Sequence, residues 1–287
     1  MIKLSVIILT YNTEKLTSNC VRLLVNNYKN NLQNREVEII VADNASTDNT
    51  VPILRKIKEI KVVENKENFG FSKGNNLGTK KASGKYILFL NSDVEVKDNG
   101  FLRMVEFMDK NPKIGILGSK LSNPDGSSQS SCGNFYTFFN LIFTLFGGDS
   151  LMRKGPNKIE KVDWVSGASL MISRELFKKL KGFDENLFMY IEDMELCFRA
   201  KELGFLTYFY PNVKLVHKEL GSSSNRGFAI LNIYKGILYF YKKHKIALYP
   251  LVRFLLSAKA VISLFIGILT NNAYLKKTYV NALKLAI

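Results

Sequence analysis

KYILFLNSD, residues 85–93, is the stretch that decides the fold. Five apolar residues, Tyr86–Leu90, run without interruption, and polar Asn91, Ser92 and Asp93 follow at once. A short continuous apolar run is typical of a strand that is buried on both faces of a parallel sheet. Ligands of open α/β sheets bind beyond the carboxyl ends of such strands, where a carboxylate can hold a divalent cation and its diphosphate. The alternative is that residues 91–93 only cap the next element.

Three further apolar segments precede this stretch and alternate with helical patterns. The predicted strands are Leu4–Leu9, Val37–Ala42 and Lys61–Glu64. The predicted helices cover roughly residues 14–27, a segment that starts after residues 46–48, and a segment that passes through residues 74–81. Strand and helix alternate four times in about ninety residues, and this pattern predicts an α/β fold with a mostly parallel sheet and helices on both faces.

The middle of the chain continues the mixed pattern with less regularity. Strands are predicted at residues 115–121, 168–173, 205–210 and 213–216, and helices at 102–108, 174–181 and 192–203. Residues 122–133 are rich in Ser, Gly, Asn and Pro and are predicted to form a loop. The uncharged aromatic segment 134–148 fits either a buried helix or a mobile lid.

The charge of the chain is concentrated at its C-terminal end. The formal net charge is +16, and no Asp or Glu follows Glu219, whereas ten Lys and Arg residues do. Such asymmetry predicts a polyanionic partner, either a lipid surface or a nucleic acid. The aromatic residues of this region alternate with long aliphatic ones and form no evident base-stacking surface, so no nucleic-acid partner is expected.

The C-terminal segment itself is strongly apolar. Residues 246–270 are interrupted by Pro250, Arg253 and Lys259, so no charge-free run reaches the roughly 18 residues of a bilayer-spanning helix. We expect a globular domain at 1–222 and a basic, apolar helical region at 223–287 that lies on an anionic membrane surface. The alternative is an ordinary helix packed on the core domain.

The cysteines and the N-terminus indicate the compartment. Cys20, Cys132 and Cys197 are odd in number and far apart, which predicts neither a disulfide framework nor a zinc site. The apolar N-terminal run is too short for a secretory signal and is better explained as a first strand. We therefore expect a cytoplasmic protein at the inner face of the cell membrane.

Several polar clusters can carry chemistry if the predicted strand ends meet at one edge. They are Thr10-Tyr11-Asn12, Asp43-Asn44-Ala45-Ser46 and Asn91-Ser92-Asp93. Each cluster alone fits a cap or a turn, but an acid such as Asp43 can also accept an N–H of a pyrimidine base. Residues 68–76 open a helix whose amides can bind phosphate or ribose, although their glycines do not have the dinucleotide-binding spacing.

Two other groups have alternative interpretations. The acids of residues 192–195 lie at the start of a predicted helix, where negative charge complements the helix dipole. Alternatively, one of them is a general base beside a substrate hydroxyl. His217 alone fits a structural role, but together with Asp93 it would suit a manganese-like ion.

In order, these clusters resemble the family 2 inverting glycosyltransferases of GT-A fold, and most of all their rhamnosyltransferase-like branch. The resemblance covers roughly residues 3–225. The segments that carry it are VIILTYN (6–12), VADNASTD (41–48), NFGFSKGNN (68–76), LNSD (90–93), WVSGA (164–168), GFDE (182–185), EDMELCFR (192–199) and His217.

The resemblance implies roles for particular residues. Asp93 and His217 would bind a divalent ion, Mg²⁺ or Mn²⁺, although Asn91 stands where the family has the first acid of its D-x-D motif. Asp193 would be the catalytic base, and Trp164 and Glu192 would border the acceptor. The nucleotide would be bound by Thr10, Tyr11, Asn12, Asp43, Asn68, Gly74, Asn75 and Ser92.

The implied reaction is a single displacement that inverts the anomeric configuration. A UDP- or dTDP-sugar, rhamnose among the candidates, would transfer its sugar to a hydroxyl of a cell-envelope or lipid-linked glycan. The competing hypothesis is a non-catalytic basic module that binds anionic lipid or nucleic acid. Nucleotidyl transfer would need a glycine-rich basic loop, and residues 10–16 contain none.

Overall fold

The structure, a computed structural model, describes residues 1–145, 153–219 and 226–287. The strands are β1 Leu4–Thr10, β2 Val37–Asp43, β3 Ile60–Glu64, β4 Tyr86–Asn91, β5 Val94–Val96, β6 Ile114–Ser122, β7 Ser128–Gln129, β8 Cys132–Gly133, β9 Arg153–Lys154, β10 Glu160–Val162, β11 Trp164–Val165, β12 Ser169–Ser173 and β13 Leu206–His217. The helices are α1 Glu14–Asn27, α2 Lys29–Gln33, α3 Thr50–Leu54, α4 Gly70–Thr79, α5 Phe101–Lys110, α6 Phe138–Leu145, α7 Arg174–Lys179, α8 Glu192–Glu202, α9 Arg226–Lys243, α10 Tyr249–Leu269 and α11 Ala273–Ala286.

One sheet organises the molecule, in the order β10-β13-β6-β12-β4-β1-β2-β3. Strands β3, β2, β1 and β4 are parallel neighbours, as the alternating pattern predicts, and β12 runs antiparallel between β4 and β6. The register pairs Thr10 with Asp43 and Leu9 with Asn91, so the carboxyl ends of β1, β2 and β4 meet at one edge. The predicted α/β fold is confirmed.

Apolar residues cover both faces of the sheet. Along β1, Leu4, Val6 and Ile8 belong to one core cluster and Ile7 to the other, as expected for side chains that alternate across a strand. Helices cover each cluster, which explains why the strands of this half are almost continuously apolar.

Two predictions of local structure were wrong because the hydrogen-bonding partners are remote in sequence. Residues 122–133, predicted as a loop, contain β7 and β8, which pair with β6, β9 and β11. Residues 205–216, predicted as two strands, form the single strand β13 with an irregularity between Tyr210 and Leu215. Pro211, which has no N–H to donate, lies in that irregular part.

Helix α6 is neither fully buried nor detached. Leu141 is buried in the core, but Phe139 and Phe143 are 72% and 53% exposed. The helix lies beside α10. The last part of the aromatic segment, residues 146–148, lies outside the described residues.

The C-terminal helices pack on the sheet domain with one face. Tyr234, Ile237, Val252, Ala260 and Tyr279 belong to the same core cluster as Phe89 of the central strand. The expected boundary at 222/223 falls in residues 220–225, outside the described residues.

Helix α10 is apolar on two sides, of which one is exposed. Among the described residues it is the one helix long and apolar enough to cross a membrane, judged by length and composition, although only 28% of its most apolar window is buried. Arg253, one of the charges that interrupt the run, donates to the Ala286 carbonyl at 3.0 Å. Large apolar residues remain exposed along the other side: Leu251, Phe254, Val261, Ile262, Phe265, Ile266, Ile268 and Leu269.

Candidate active site

A cavity of about 820 Å³ lies at the edge where β1, β2 and β4 end. Its lining joins segments from residues 9 to 233, so the fold brings together side chains that are far apart in sequence. Ten of the predicted site residues line it: Thr10, Tyr11, Asn12, Asn68, Ser92, Asp93, Trp164, Glu192, Asp193 and His217.

Three predicted nucleotide-binding residues, Asp43, Gly74 and Asn75, are not part of this lining. Asn75 is buried within α4, and its Nδ2 donates to the Phe71 carbonyl at 3.0 Å. A Cβ at Gly74 would lie 2.5 Å from Leu9 Cδ1 and 2.8 Å from Asn44 Oδ1, both on cavity-lining residues. The contacts of Gly74 support the cavity wall, and direct nucleotide contact by Gly74 and Asn75 stays a prediction.

Asp43 is buried at the end of β2 with one oxygen in use. Its Oδ2 accepts from the Ser46 amide at 2.9 Å, while Oδ1 has no hydrogen-bond partner. An unpartnered buried carboxylate oxygen is costly unless a ligand satisfies it. An N–H donor of a nucleobase would have the required chemistry.

Hydroxyl and amide hydrogen bonds hold the end of β1. Thr10 Oγ1 lies 2.7 Å from Thr17 Oγ1 and 2.9 Å from Thr13 Oγ1. Asn12 has φ 52° and accepts from the Thr47 amide through Oδ1 at 2.7 Å. Asparagine tolerates this left-handed conformation better than most residues do. The turn after β1 is thereby tied to the loop after β2.

Asn44 was not among the predicted site residues, although it follows Asp43 directly. Its Nδ2 donates to the Gly70 carbonyl at 3.0 Å, and its Oδ1 accepts from Asn65 Nδ2 at 2.8 Å. This buried amide connects the end of β2 to the start of α4, where Asn68 Oδ1 accepts from the Gly70 amide at 3.0 Å.

His217 and Asp93 meet at one wall of the cavity. His217 Nε2 lies 3.3 Å from Asp93 Oδ1 and 3.3 Å from Asn91 Nδ2, and His217 Nδ1 lies 2.8 Å from Gln129 Oε1. Nowhere in the described ranges do three or more His, Cys, Asp or Glu side chains gather as a potential metal site. A divalent ion here would therefore take two of these protein ligands and need others from its substrate.

The spacing of these two groups fits one ion. Adjacent ligands of an octahedral ion at about 2.1 Å are about 3 Å apart, close to the observed 3.3 Å between oxygen and nitrogen. A carboxylate oxygen with an imidazole nitrogen is also a donor set that suits manganese-like ions.

Two consecutive residues before α8 have left-handed backbone conformations. Tyr190 has φ 70° and Ile191 has φ 71°, which is unusual for any residue and most of all for a β-branched one. Each such conformation costs on the order of 1–3 kcal/mol and persists only when surrounding contacts impose it. Both residues line the cavity, directly before the acids Glu192 and Asp193.

Glycines on two neighbouring helices make room for this turn. A Cβ at Gly236 of α9 would lie 2.8 Å from Ile191 Cγ1, and a Cβ at Gly70 of α4 would lie 2.3 Å from the Phe188 carbonyl oxygen. The same carbonyl accepts from the Phe71 amide at 2.6 Å. Residues 188–191 are thus confined between α4 and α9, and this confinement fixes where α8 begins.

Asp193 is oriented by two backbone amides. Its Oδ2 accepts from the Gly167 amide at 3.0 Å, and its Oδ1 accepts from the Met194 amide at 2.7 Å. Gly167 lies in the tight segment between β11 and β12, so the carboxylate is held against the wall that also contains Trp164. A carboxylate fixed in this way can accept a proton from a hydroxyl placed in the cavity.

Glu192, next to Asp193, has one carboxyl oxygen without a hydrogen-bond partner. Its side chain is 5% exposed, and Oε2 has no hydrogen-bond partner. Burial, and then the neighbouring charge of Asp193, raise the pKa of Glu192 well above its ordinary value. The raised pKa favours the protonated form of Glu192, which can donate an O–H to a ligand.

Trp164 and Tyr136 close the side of the cavity next to α6. Trp164 Nε1 donates to the Asn134 carbonyl at 2.9 Å, and Tyr241 Oη of α9 donates to the Tyr136 carbonyl at 2.5 Å. These two bonds join the segment before α6 to β11 and to α9.

Two bacterial proteins have similar sequences. The O-antigen biosynthesis protein RfbC of Myxococcus xanthus is 29% identical over 204 residues, which are 67% of this chain but only 15% of that protein. The N-acetylglucosaminyl-diphospho-decaprenol L-rhamnosyltransferase of Mycobacterium tuberculosis is 24% identical over 212 residues, 66% of this chain and 69% of that enzyme.

A solved structure and a family model support the same assignment. The mannosyltransferase PcManGT from Pyrobaculum calidifontis, in complex with GDP-Man and Mn²⁺, matches with a TM-score of 0.61 at 17% identity, over 99% of this chain and 85% of that one. This likeness confirms the GT-A fold. The model of the glycosyl transferase family 2 matches residues 5–180, more than half of the chain. The chain belongs to glycosyl transferase family 2.

Proposed function

We propose that this protein is an inverting glycosyltransferase. It transfers a sugar from a nucleotide-diphosphate donor, a UDP- or dTDP-sugar with rhamnose as the first candidate, to a hydroxyl of a lipid-linked or cell-envelope glycan. One observation carries the proposal: the cavity of a family 2 fold places the Asp93–His217 pair and the oriented carboxylate of Asp193 in the same lining.

The donor would bind along the ends of β1, β2 and β4. The unpartnered Asp43 Oδ1 would accept the N–H of a uracil or thymine base, while Thr10, Tyr11 and Asn12 would border the base and ribose. Asn68 and Ser92 would contribute further polar contacts from the same lining, with Gly74 and Asn75 supporting them from α4.

Asp93 and His217 would hold a divalent ion, Mg²⁺ or Mn²⁺, against the donor diphosphate. When bound, such an ion neutralises the charge that develops on the leaving diphosphate, an effect worth several kcal/mol. The 3.3 Å separation of the two side chains supports this role, as does the Mn²⁺ in the structure of the mannosyltransferase.

Asp193 would act as the general base. Its two amide hydrogen bonds hold the carboxylate in one orientation, from which it would take the proton of an acceptor hydroxyl. That hydroxyl would attack the anomeric carbon from the face opposite the nucleotide, and one displacement would invert the configuration. Glu192, in its protonated form, would donate a hydrogen bond to the acceptor beside Trp164.

The acceptor would be reached from a membrane surface. Helices α6 and α10 contact each other, contain no acidic residues, and expose Phe139 and Phe143 on α6 and the apolar side of α10. The ten basic residues after Glu219 would complement anionic lipid. We infer a catalytic region at 1–222 and a membrane-associated region at 223–287, with the enzyme at the inner face of the cell membrane.

Donor turnover tests the catalytic proposal. The purified protein is incubated with a panel of UDP- and dTDP-sugars, with Mn²⁺, with Mg²⁺ and with a chelator. We expect metal-dependent hydrolysis or transfer of one donor, and a product whose anomeric configuration, read by proton NMR, is inverted. Retained configuration would exclude the single displacement. Absence of turnover with salt-sensitive lipid binding would instead favour a non-catalytic module.

Vesicle binding tests the membrane surface. Phe254 and Phe265 of α10 are 74% and 59% exposed, and burial of each ring in lipid should contribute about 2 kcal/mol. Phe254→Glu with Phe265→Glu should therefore weaken partitioning into vesicles with anionic lipid by at least tenfold, measured by co-sedimentation. Ile159→Glu, the same kind of change at an exposed position before β10, is the control. Equal binding of all variants would contradict the assignment.

A further inference from the structure

A chain of hydrogen-bonded side chains leads from the cavity wall to the protein surface. His217 Nδ1 lies 2.8 Å from Gln129 Oε1, and Gln129 Nε2 lies 2.9 Å from Asn123 Oδ1. Asn123 Nδ2 lies 2.9 Å from Ser127 Oγ, which in turn lies 2.6 Å from Asp125 Oδ1. Apart from His217, these residues belong to the hairpin that joins β6 to β7, and none was among the predicted site residues.

The far end of this chain determines its direction. The hydrogen bond from Ser127 keeps the pKa of Asp125 below its ordinary value, so Asp125 is an ionised carboxylate that can only accept. Ser127 must then donate its single O–H to Asp125 and accept from Asn123 Nδ2. Asn123 Oδ1 consequently accepts from Gln129 Nε2, which turns Gln129 Oε1 toward the histidine.

Only one neutral form of His217 fits this direction. Because Gln129 Oε1 is an acceptor, His217 Nδ1 must carry the proton, and Nε2 keeps its lone pair. Asn91 Nδ2, a donor, lies 3.3 Å from Nε2 and agrees with this tautomer. The lone pair of Nε2 then faces Asp93 Oδ1 at 3.3 Å, and a divalent ion bound between these two acceptors would remove their repulsion.

The chain becomes more exposed with distance from the cavity. Gln129 and His217 are buried, Asn123 is half-buried, and Ser127 and Asp125 are exposed. Water competes for the outer hydrogen bonds but not for the bond between Gln129 and His217. Gln129 should therefore contribute most to the orientation of the His217 ring, and Asp125 least.

We propose that Gln129, oriented by Asn123, Ser127 and Asp125, is a positioning residue that holds His217 with its proton on Nδ1 and its Nε2 lone pair ready for a metal ion. The inference rests on the proposed role of Asp93 and His217 as metal ligands. Partners that fix the other nitrogen of a ligating histidine typically contribute 10- to 100-fold to metal affinity.

Metal affinity gives the first test. Mn²⁺ is titrated into the full-length protein in the presence of UDP, and free Mn²⁺ is followed by electron paramagnetic resonance. Gln129→Met, which has similar length but only a weakly accepting thioether sulfur, should weaken binding 10- to 100-fold. Gln129→Glu, which restores an acceptor, should bind within about threefold of wild type, and Asn123→Ala should lie between the two. The control Ser128→Ala, in the same hairpin but outside the chain, should bind as wild type does.

The tautomer itself gives the second test, without metal. The protein contains only two histidines, so nitrogen-15 NMR of histidine-labelled protein resolves both rings, and a His217→Ala variant assigns them. Wild type should show His217 protonated at Nδ1, and Gln129→Met should populate the Nε2–H form. His217 already protonated at Nε2 in wild type, or identical Mn²⁺ affinities in Gln129→Met and wild type, would overturn the inference. Unchanged Mn²⁺ affinity in His217→Ala would instead overturn the ligand role on which it rests.

Discussion

Helix α8 carries acidic side chains from two groups, which differ in how completely the protein satisfies their hydrogen-bonding capacity. At its N-terminus, Glu192 and Asp193 line the cavity, and Glu192 Oε2 has no partner. One turn further on, Glu195 is fully buried but completely hydrogen-bonded, and with Asp184 it forms an anchor to α9. The same helix therefore has one incompletely satisfied acidic group and one fully satisfied group.

The anchor is a dense network of ions. Arg199 Nε donates to both oxygens of Glu195 at 2.9 and 2.8 Å, Lys243 Nζ lies 2.5 Å from Glu195 Oε1, and His244 Nε2 lies 3.2 Å from the same oxygen. Burial raises the pKa of Glu195, but the hydrogen bonds from His244, Arg199 and Lys243 outweigh it and keep the pKa below the ordinary value. These contacts hold α8 against the end of α9.

The difference separates carboxylates that hold the fold from those available to a ligand. A buried polar group with all its partners inside the protein has no capacity left for a substrate, whereas an incompletely satisfied one gains free energy when a ligand completes it. Helix α8 is fixed by Glu195 so that Glu192 and Asp193, one turn earlier, keep their position in the cavity.

The largest expected effect comes from removing the proposed base. Asp193→Asn should lower kcat by about 10²- to 10⁴-fold, because an amide cannot take the acceptor proton. Asparagine has a single carbonyl oxygen, so it cannot accept from both the Gly167 and the Met194 amides. Because this loss can lower stability, the melting temperature should be measured together with turnover. Donor affinity should stay near that of wild type. Unchanged turnover would remove the base assignment.

The next largest effect is a loss of stability when the anchor between α8 and α9 is weakened. Lys243→Met removes one cation from both Glu195 and Asp184 and should lower the free energy of unfolding by about 2 to 3 kcal/mol, measured by denaturant titration. Lys242→Met, at the exposed neighbouring lysine, is the matched control and should change stability little. Equal losses in the two variants would show that the anchor contributes nothing specific.

The same variant has a defined pH dependence. Burial raises the pKa of Asp184, but the hydrogen bonds from Lys243, Asn186 and Tyr239 outweigh it and place the pKa at about 2. A lowered pKa adds stability that is present above the ordinary value and is lost as the pH falls through the folded value. The difference between wild type and Lys243→Met should therefore persist at neutral pH and disappear as the pH approaches 2.

The smallest expected effect is at Glu192. Glu192→Gln replaces an acid whose raised pKa favours the protonated form by a neutral amide, which also donates, so turnover should fall by less than tenfold. The raised pKa of Glu192 means that wild type loses stability as the pH rises above the ordinary range of a glutamate. The variant should accordingly melt at a higher temperature than wild type at pH 8, with no difference at pH 4. A loss of turnover as large as that of Asp193→Asn would instead make Glu192 the base.

The sequence predicted local elements well where the pattern and the final contacts agreed. Helix α1 covers residues 14–27 as its apolar spacing predicts, and β1 to β4 follow the four apolar runs. The meeting of Asp93 and His217 was foreseen because chemistry and family resemblance pointed to the same pair. These features depend on short-range periodicity or on motifs that retain their order along the chain.

Contacts between remote segments could not be predicted in this way. Gln129 was assigned to a loop, and nothing in its neighbourhood indicates a histidine 88 positions away in the chain. The left-handed turn at Tyr190 and Ile191 contradicts the preference of both residue types, and Gly70 and Gly236 on other helices leave the space for residues 188–191 that it needs. Both features follow from tertiary packing.

The close approach of Gly236 to Ile191 has a practical consequence for anyone who shortens this protein. Helix α9 carries Gly236 and also contributes Phe228 and Ile233 to the lining of the cavity. A shortened protein of residues 1–222 would lack the exposed apolar side of α10, but it would also lack the part of the cavity wall that α9 contributes. Point changes on the outer side of α10 are the better route to a soluble enzyme that still works.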